Sequence, residues 1–190
     1  ASFALIIAST QIISALFGYG SFSETSVQNS SSALFFFAFG LPAFALIKVF
    51  SSFFFARHDT KTPFYISIAS VLLNIFVSIF LFEKLGFIII PIATSISSWF
   101  NAILLYIFCR KKNFFSFNKI FISRFPRIIF SSVIMGIIFY FLLNIFTDKL
   151  IYGENLKIIY LLLVVLIALI SYAFISIFTK AFKMSDIKLN

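Results

Sequence analysis

The sequence has little charge and few of the side chains on which enzymes and metal sites depend. Only 11% of its 190 residues are Asp, Glu, Lys or Arg, whereas a soluble domain usually carries about 25%. It has one histidine, one cysteine and six acidic residues. One cysteine excludes an internal disulfide, and the scattered carboxylates offer no paired acid–base site and no metal cluster. The sequence therefore predicts neither an enzyme nor a metal-binding protein.

Long apolar runs dominate what remains. Hydrophobic residues make up 62% of the chain, in continuous blocks too long to be hidden in one soluble core. A membrane-spanning helix needs about 20 mostly apolar residues, and continuous runs without alternation favour helices over barrel strands. We predict an all-α integral membrane protein with one membrane domain over residues 1–190. The six predicted spans cover residues 1–17, 32–56, 64–82, 87–109, 128–146 and 156–179.

The net charge of +9 reports membrane topology rather than a nucleic-acid partner. A nucleic-acid-binding protein needs a basic face on a soluble module, but here the Lys and Arg residues lie between apolar runs. They concentrate in the second and fourth connections and in the tail. By the positive-inside rule these segments are cytoplasmic. We therefore predict that both ends of the chain are cytoplasmic and that the chain binds no nucleic acid.

The second connection, Arg57-His58-Asp59-Thr60-Lys61-Thr62-Pro63, is the most polar short segment of the first half. Pro63 suits the first turn of the next helix, and we expect Thr60 or Thr62 to cap that helix. His58 has no second ligand nearby in the sequence, so we interpret it as a solvated loop residue.

A few polar residues within the spans are candidates for function. Lys48 lies in the second span, where a charge either faces a cavity or extends its ammonium group to the interface. Asn74 and Ser78 are one turn apart and share a helix face. With Thr94 of the next span they either pack helices together or line a path for an ion or substrate.

Three segments in the first third of the chain resemble a known family. They are Gly40-Leu41-Pro42-Ala43-Phe44, Lys48-Val49 and Phe55 to Pro63. They resemble the MurJ (MviN) family of bacterial lipid II flippases, within the multidrug/oligosaccharidyl-lipid/polysaccharide exporter superfamily. The family pattern reads Ala-Arg-x-Asp-Thr-Lys-Thr-Pro, and residues 56–63 match it.

The resemblance implies that the six spans are helices 9 to 14 of a 14-helix, two-lobe protein. Such a protein moves lipid-linked peptidoglycan precursor, of the undecaprenyl-pyrophosphate type, across the bacterial inner membrane by alternating access. The chain begins inside an apolar run, so we expect it to be a C-terminal portion. Its partners would be this precursor, membrane lipids and the missing N-terminal lobe, with most substrate-gripping residues upstream of Ala1. The spans 128–146 and 156–179 would contact the isoprenoid tail.

The resemblance also bears on ion binding and on the roles of charged residues. Some members hold sodium with Asn and Asp on helix 11 and Thr on helix 12. Asn74 and Thr94 fall at two of these positions, but Ser78 stands where the Asp would be. Without that carboxylate the cation's desolvation is poorly offset, so we expect no cofactor and no metal site. Coupling to Na⁺ or to the membrane potential stays open.

Lys48 becomes the candidate substrate contact in this portion of the chain. Arg57, Asp59, Lys61 and Pro63 become a cytoplasmic loop that braces helices, with a purely topological role as the other interpretation. The main alternative function is a related flippase for O-antigen or another lipid-linked polysaccharide. A membrane-embedded glycosyl- or acyltransferase would need an acidic or histidine constellation beyond His58. A non-transporting scaffold would show no solvent-accessible cavity.

Overall fold

The structure is a computed structural model that describes residues 2–116, 118–150 and 156–181. Every regular element within these residues is helical, which confirms the all-α prediction. The helices are α1 (Ser2–Ile7), α2 (Ser9–Phe17), α3 (Glu24–Phe55), α4 (Lys61–Leu85), α5 (Ile89–Lys111), α6 (Lys119–Ile145) and α7 (Lys157–Phe178), with single 3₁₀ turns at Gly86–Ile88 and Thr147–Lys149.

Four of the described segments are long and apolar enough to cross a membrane. They are Glu24–Phe55, Lys61–Lys111, Phe121–Ile145 and Lys157–Phe178. The segment Lys61–Lys111 has 51 residues, and within it α4 folds back to pack along α5. The reversal is made at Gly86, whose φ of 60° is one that glycine adopts without steric cost. The third and fourth predicted spans are therefore the two arms of a hairpin, and the integral membrane class is confirmed.

The first predicted span, 1–17, is folded as two short helices. They meet at Ala8, where φ is −111° and ψ is 20°, although backbone bonds from Ala8 to Ala4 and from Ile12 to Ala8 continue across the junction. Neither α1 nor α2 has the length that a spanning helix needs. A membrane crossing by residues 1–17 stays a prediction.

The polar segment before the second span belongs to a helix rather than to a loop. Helix α3 begins at Glu24, eight residues before the predicted boundary at residue 32. The Oγ of Ser23 accepts a hydrogen bond from the backbone N–H of Ser26 at 3.2 Å, which caps the helix. The connection from α2 to α3 is therefore only six residues long, from Gly18 to Ser23.

The chain divides into two compact units. The first contains Phe3–Ser31 and the described residues from 118 onward, and the second contains Ser32–Ser116. In the first unit α2, α6 and α7 bury a core that includes Phe139 and Val164. In the second unit α3, α4 and α5 bury Phe50, Phe54, Ile66, Leu105 and Cys109. The single membrane domain over residues 1–190 stays a prediction.

We expect the buried side chain of Phe54 to contribute more to the stability of the second unit than an exposed phenylalanine does. Phe54 is fully buried, whereas Phe80 on α4 is 70% exposed. Phe54→Ala should lower the free energy of unfolding by about 3–5 kcal/mol, and the matched control Phe80→Ala should change it by no more than about 0.5 kcal/mol. Unfolding by denaturing detergent, followed by near-ultraviolet circular dichroism, measures both. Equal losses in the two variants would contradict this packing.

Candidate functional site

The charged loop between α3 and α4 forms the C-terminal cap of α3. His58 has a φ of 57°, in the left-handed region that non-glycine residues seldom occupy. The N–H of His58 donates to the carbonyl oxygen of Phe55, and the N–H of Asp59 donates to that of Phe54, both at 3.0 Å. This pair of bonds is a Schellman motif. His58 thus serves the helix ending, and its side chain is exposed, as the sequence indicated.

Asp59 starts the following helix. Its Oδ1 accepts the backbone N–H of Thr62 at 3.1 Å, and its Oδ2 accepts the Thr62 hydroxyl at 2.8 Å. A carboxylate in this place satisfies a free N–H and interacts favourably with the helix dipole. The expected cap by Thr60 or Thr62 is wrong, since the Thr60 side chain makes no capping bond. Pro63 lies in the first turn, as predicted, and it is buried.

Lys112, just beyond the end of α5, joins this loop across 53 residues of sequence. Its Nζ lies 2.5 Å from the Asp59 Oδ2 and donates to the Thr62 Oγ1 at 3.0 Å. The hydrogen bond from Lys112, followed by that from the Thr62 N–H, lowers the pKa of Asp59 from 3.8 to about 2. The carboxylate is therefore ionised at any physiological pH.

Arg57 makes a second link between the same two segments. Its guanidinium donates to the carbonyl oxygen of Phe53 at 3.0 Å and lies 4.5 Å from the centre of the Phe114 ring. A cation over an aromatic face is attracted by the ring quadrupole. Phe114 in turn packs edge-on against the buried Phe54, with 5.5 Å between ring centres.

We call Arg57, Asp59, Thr62, Lys112 and Phe114 the loop latch. Of the four predicted loop residues, Arg57 and Asp59 are in it. Pro63 lies outside it as a buried residue of α4, and Lys61 lies outside it as an exposed residue of α4. Sequence reasoning missed Lys112 and Phe114. The available signal was membrane topology. Both residues follow the fourth predicted span, which ends on the side of the membrane where the loop lies.

The predicted ion-site residues Asn74 and Thr94 do come together. The Nδ2 of Asn74 donates to the Thr94 Oγ1 and to the Ser97 Oγ, both at 3.2 Å. Each hydroxyl donates its own hydrogen to a backbone carbonyl, from Thr94 to Ile90 at 2.8 Å and from Ser97 to Thr94 at 3.0 Å. The amide group of Asn74 therefore presents its N–H donors to the two hydroxyl oxygens. A cation needs oxygen acceptors around it, so this arrangement does not suit a sodium ion.

Ser78 and the acidic residues add nothing to this cluster. Ser78 makes no hydrogen bond to Asn74 or Thr94, and the described part of the chain holds no group of three His, Cys, Asp or Glu residues that could bind a metal. The geometry favours the interpretation in which small polar side chains bind α4 to α5.

Helix α5 is bound to α3 by two further side chains that the sequence did not single out. The Ser95 Oγ donates to the carbonyl oxygen of Phe36 at 2.7 Å, and the Trp99 indole donates to that of Phe39 at 3.0 Å. A Cβ on Gly40 would lie 2.9 Å from the Ser95 Oγ, so this approach requires glycine.

Lys48, the candidate substrate contact, is exposed on α3. Among the described residues it has no hydrogen-bonding or ionic partner. An exposed, unpaired ammonium group is compatible both with a cavity and with extension to the interface, so the two interpretations stay open.

Lys157 in the first unit is a buried cation that the sequence analysis did not single out. Its Nζ donates to the carbonyl oxygen of Gly18 at 2.7 Å and lies 4.0 Å from the centre of the Tyr19 ring. A buried ammonium group is unfavourable without such partners. Lys157 therefore ties the connection between α2 and α3 to the start of α7.

We expect the latch to give the fold a pH dependence at low pH. Because the pKa of Asp59 in the folded state, about 2, lies below the ordinary 3.8, its stabilisation is present above that value and is lost as the pH falls towards 2. After discounting for solvent screening, the loss is about 1 kcal/mol. Asp59→Asn should keep the helix cap but flatten this part of the stability–pH curve, measured by unfolding between pH 5 and 2.

Glu83→Gln is the matched control for this prediction, because Glu83 is an exposed helix-end carboxylate without a described partner. Its stability–pH curve should follow that of the unmodified protein. A double-mutant cycle with Lys112→Met should give a coupling of about 0.5–1 kcal/mol. Zero coupling would show that the ion pair contributes nothing.

Comparison with known proteins identifies the family. A family model described as lipid II flippase MurJ matches residues 1–161. A protein of Rickettsia prowazekii named probable lipid II flippase MurJ is 37% identical over 113 residues, which cover 60% of this chain and 22% of that protein. Proteins of the same name from Rhizobium meliloti and Thermotoga maritima are 34% identical over 140 residues and 33% identical over 149.

These last two alignments cover 74% and 78% of this chain but only 26% and 30% of the relatives. The chain thus spans about a quarter of the length of the curated relatives that it matches. The family match includes the whole loop latch and the Asn74 cluster, and the resemblance first read from residues 40–63 is confirmed. This chain belongs to the lipid II flippase MurJ family.

Proposed function

We propose that this chain is the C-terminal portion, helices 9 to 14, of a flippase that moves lipid-linked peptidoglycan precursor from the inner to the outer leaflet of the bacterial inner membrane. The observation that carries the proposal is that residues 56–63, which match the family pattern, form an ordered latch joining three helices. A loop with only a topological role would need charge but no such set of partners.

The latch supports a mechanism of alternating access. A transporter of this kind moves groups of helices as rigid bodies around its substrate. By bonding the end of α3 and the start of α4 to the end of α5, Asp59 and Lys112 let the second unit respond as one piece. Transport then requires no catalytic group, and the protein acts as a carrier rather than an enzyme.

The described helices support the orientation derived from charge. Because α4 and α5 are antiparallel, the start of α4 and the end of α5 lie on the same side of the membrane. Lys61 is therefore on the same side as Lys111 and Lys112. The turn at Gly86 lies on the opposite side. With the basic side in the cytoplasm, the second and fourth connections face inward, and both ends of the chain are cytoplasmic.

Lys48 is the residue of the second unit best suited to meet the substrate. It carries an exposed positive charge within an apolar helix, and the precursor carries a diphosphate. Most of the groups that hold the head group belong to the missing N-terminal lobe. The polar groups of the cluster around Asn74 already bond to one another and to backbone carbonyls. This argues against sodium coupling there, so no cofactor or metal is part of the proposal.

Rescue of flippase-depleted bacterial cells by the full-length protein tests the function. The unmodified protein should restore growth and should move fluorescent lipid-linked precursor across proteoliposomes. Lys48→Ala should slow translocation about tenfold, as expected for loss of one charge-assisted contact, whereas the matched control Lys84→Ala should not.

Two results would contradict the proposal. Rescue of cells that lack an O-antigen flippase, without rescue of lipid II flippase depletion, would favour the related exporter. Full activity of Lys48→Ala at normal membrane levels would remove Lys48 from the mechanism and leave interface extension as its explanation.

A further inference from the structure

The first unit contains a polar cleft that the proposed function does not use. It has a volume of about 230 Å³ and is formed by α2, the start of α3 and the end of α6. Six of its lining side chains are polar and three are aliphatic. They are Thr10, Gln11, Ser14, Glu24, Gln28 and Thr147, with Val27, Leu143 and Leu150.

Helical spacing builds this cleft from one face of each element. On α2 the lining residues are Thr10, Gln11 and Ser14, and on α3 they are Glu24, Val27 and Gln28. Positions three and four residues apart lie on the same face of a helix. Each helix therefore presents a polar stripe to a common space.

One polar group of the cleft is buried without a partner, and three more make no hydrogen bond within the described residues. The Ser14 Oγ is shielded from solvent and makes no hydrogen bond, and the residue is only 5% exposed. A buried hydroxyl without a partner is unfavourable by about 1–3 kcal/mol. Within the described residues, the side chains of Thr10, Gln11 and Glu24 also make no hydrogen bond. A ligand that enters the cleft would satisfy these groups.

The chemistry of the lining selects the ligand class. Among the described residues the lining contains no Lys or Arg, so an anion has no partner there, and no aromatic ring, so a quaternary ammonium group has no cage. The amides and hydroxyls both donate and accept hydrogen bonds, and a bare metal ion would use only the accepting atoms. Three aliphatic side chains suit the C–H face of a ring.

We propose that this polar cleft binds a small neutral polyhydroxylated ligand, about one sugar ring in size. The volume is below the 300–1,000 Å³ of pockets for larger ligands. Gln11 and Ser14 bond the ring substituents, Glu24 accepts from its hydroxyls, and Val27, Leu143 and Leu150 contact its carbon face. The cleft lies on the side of the membrane that we propose as the outer one. The inference rests on the proposed function only for the source of the sugar, which would be a lipid-linked glycan delivered to the outer leaflet.

Saturation-transfer NMR on the full-length protein in nanodiscs tests this inference, with free N-acetylglucosamine as the probe. This sugar carries hydroxyl and amide groups and no charge. We expect a dissociation constant of about 1 mM. Ser14→Ala and Glu24→Gln should each weaken binding about three- to tenfold, the effect of one lost hydrogen bond. Glu83→Gln and Asn29→Ala, which lie outside the cleft, should bind as the unmodified protein does.

Thermal unfolding separates binding from folding. Because Ser14→Ala removes a hydroxyl without a partner, it should not lower the melting temperature while it weakens sugar binding. The inference is overturned by an equal signal from all variants, by no signal from the unmodified protein, or by tighter binding of choline than of the sugar. Normal translocation without sugar binding would overturn the cleft alone, whereas sugar binding without translocation would contradict the proposed function alone.

Discussion

A polar group that faces hydrocarbon has no water to bond to, so it must find its partner within the protein. This constraint explains most of the contacts in the two units. Asn74 is bonded by two hydroxyls of α5, Ser95 and Trp99 each reach a carbonyl of α3, and Lys157 reaches the carbonyl of Gly18. Each bond removes an unfavourable isolated group and also joins a helix to another helix or to a connection.

The same constraint distinguishes the loop latch from the Asn74 cluster. The cluster lies within the apolar hairpin, is neutral, and uses every described donor on an internal acceptor. The latch lies at the helix ends, where water and lipid head groups tolerate charge. It pairs the Asp59 carboxylate with the Lys112 ammonium group and places the Arg57 guanidinium group over the Phe114 ring. Charged contacts of this kind hold a fixed geometry, which fits the bracing role that we propose for the loop.

Several predictions from the sequence held because they depend on local chemistry. Long apolar runs indicated the all-helical membrane class, Pro63 lies in a first turn, and the pattern of residues 56–63 indicated the right family. The errors have a local cause as well. The stretch from Glu24 to Ser31 is polar and reads as a loop, yet a Ser23 cap lets it continue α3. The Thr60 cap was displaced because Asp59 accepts two bonds from Thr62.

What the sequence by itself determined is the membrane class, the alternation of charge and the family, since each follows from hydrophobicity and order along one chain. Only the tertiary structure decided that Lys112 pairs with Asp59, that Lys157 is buried against Gly18, and that α2, α3 and α6 enclose a polar cleft. The first two pairs are separated by 53 and 139 residues, and the cleft residues of α6 lie more than a hundred residues after those of α2 and α3. No local pattern reports such distances, because they are set by how helices pack and not by the propensities of the residues that meet.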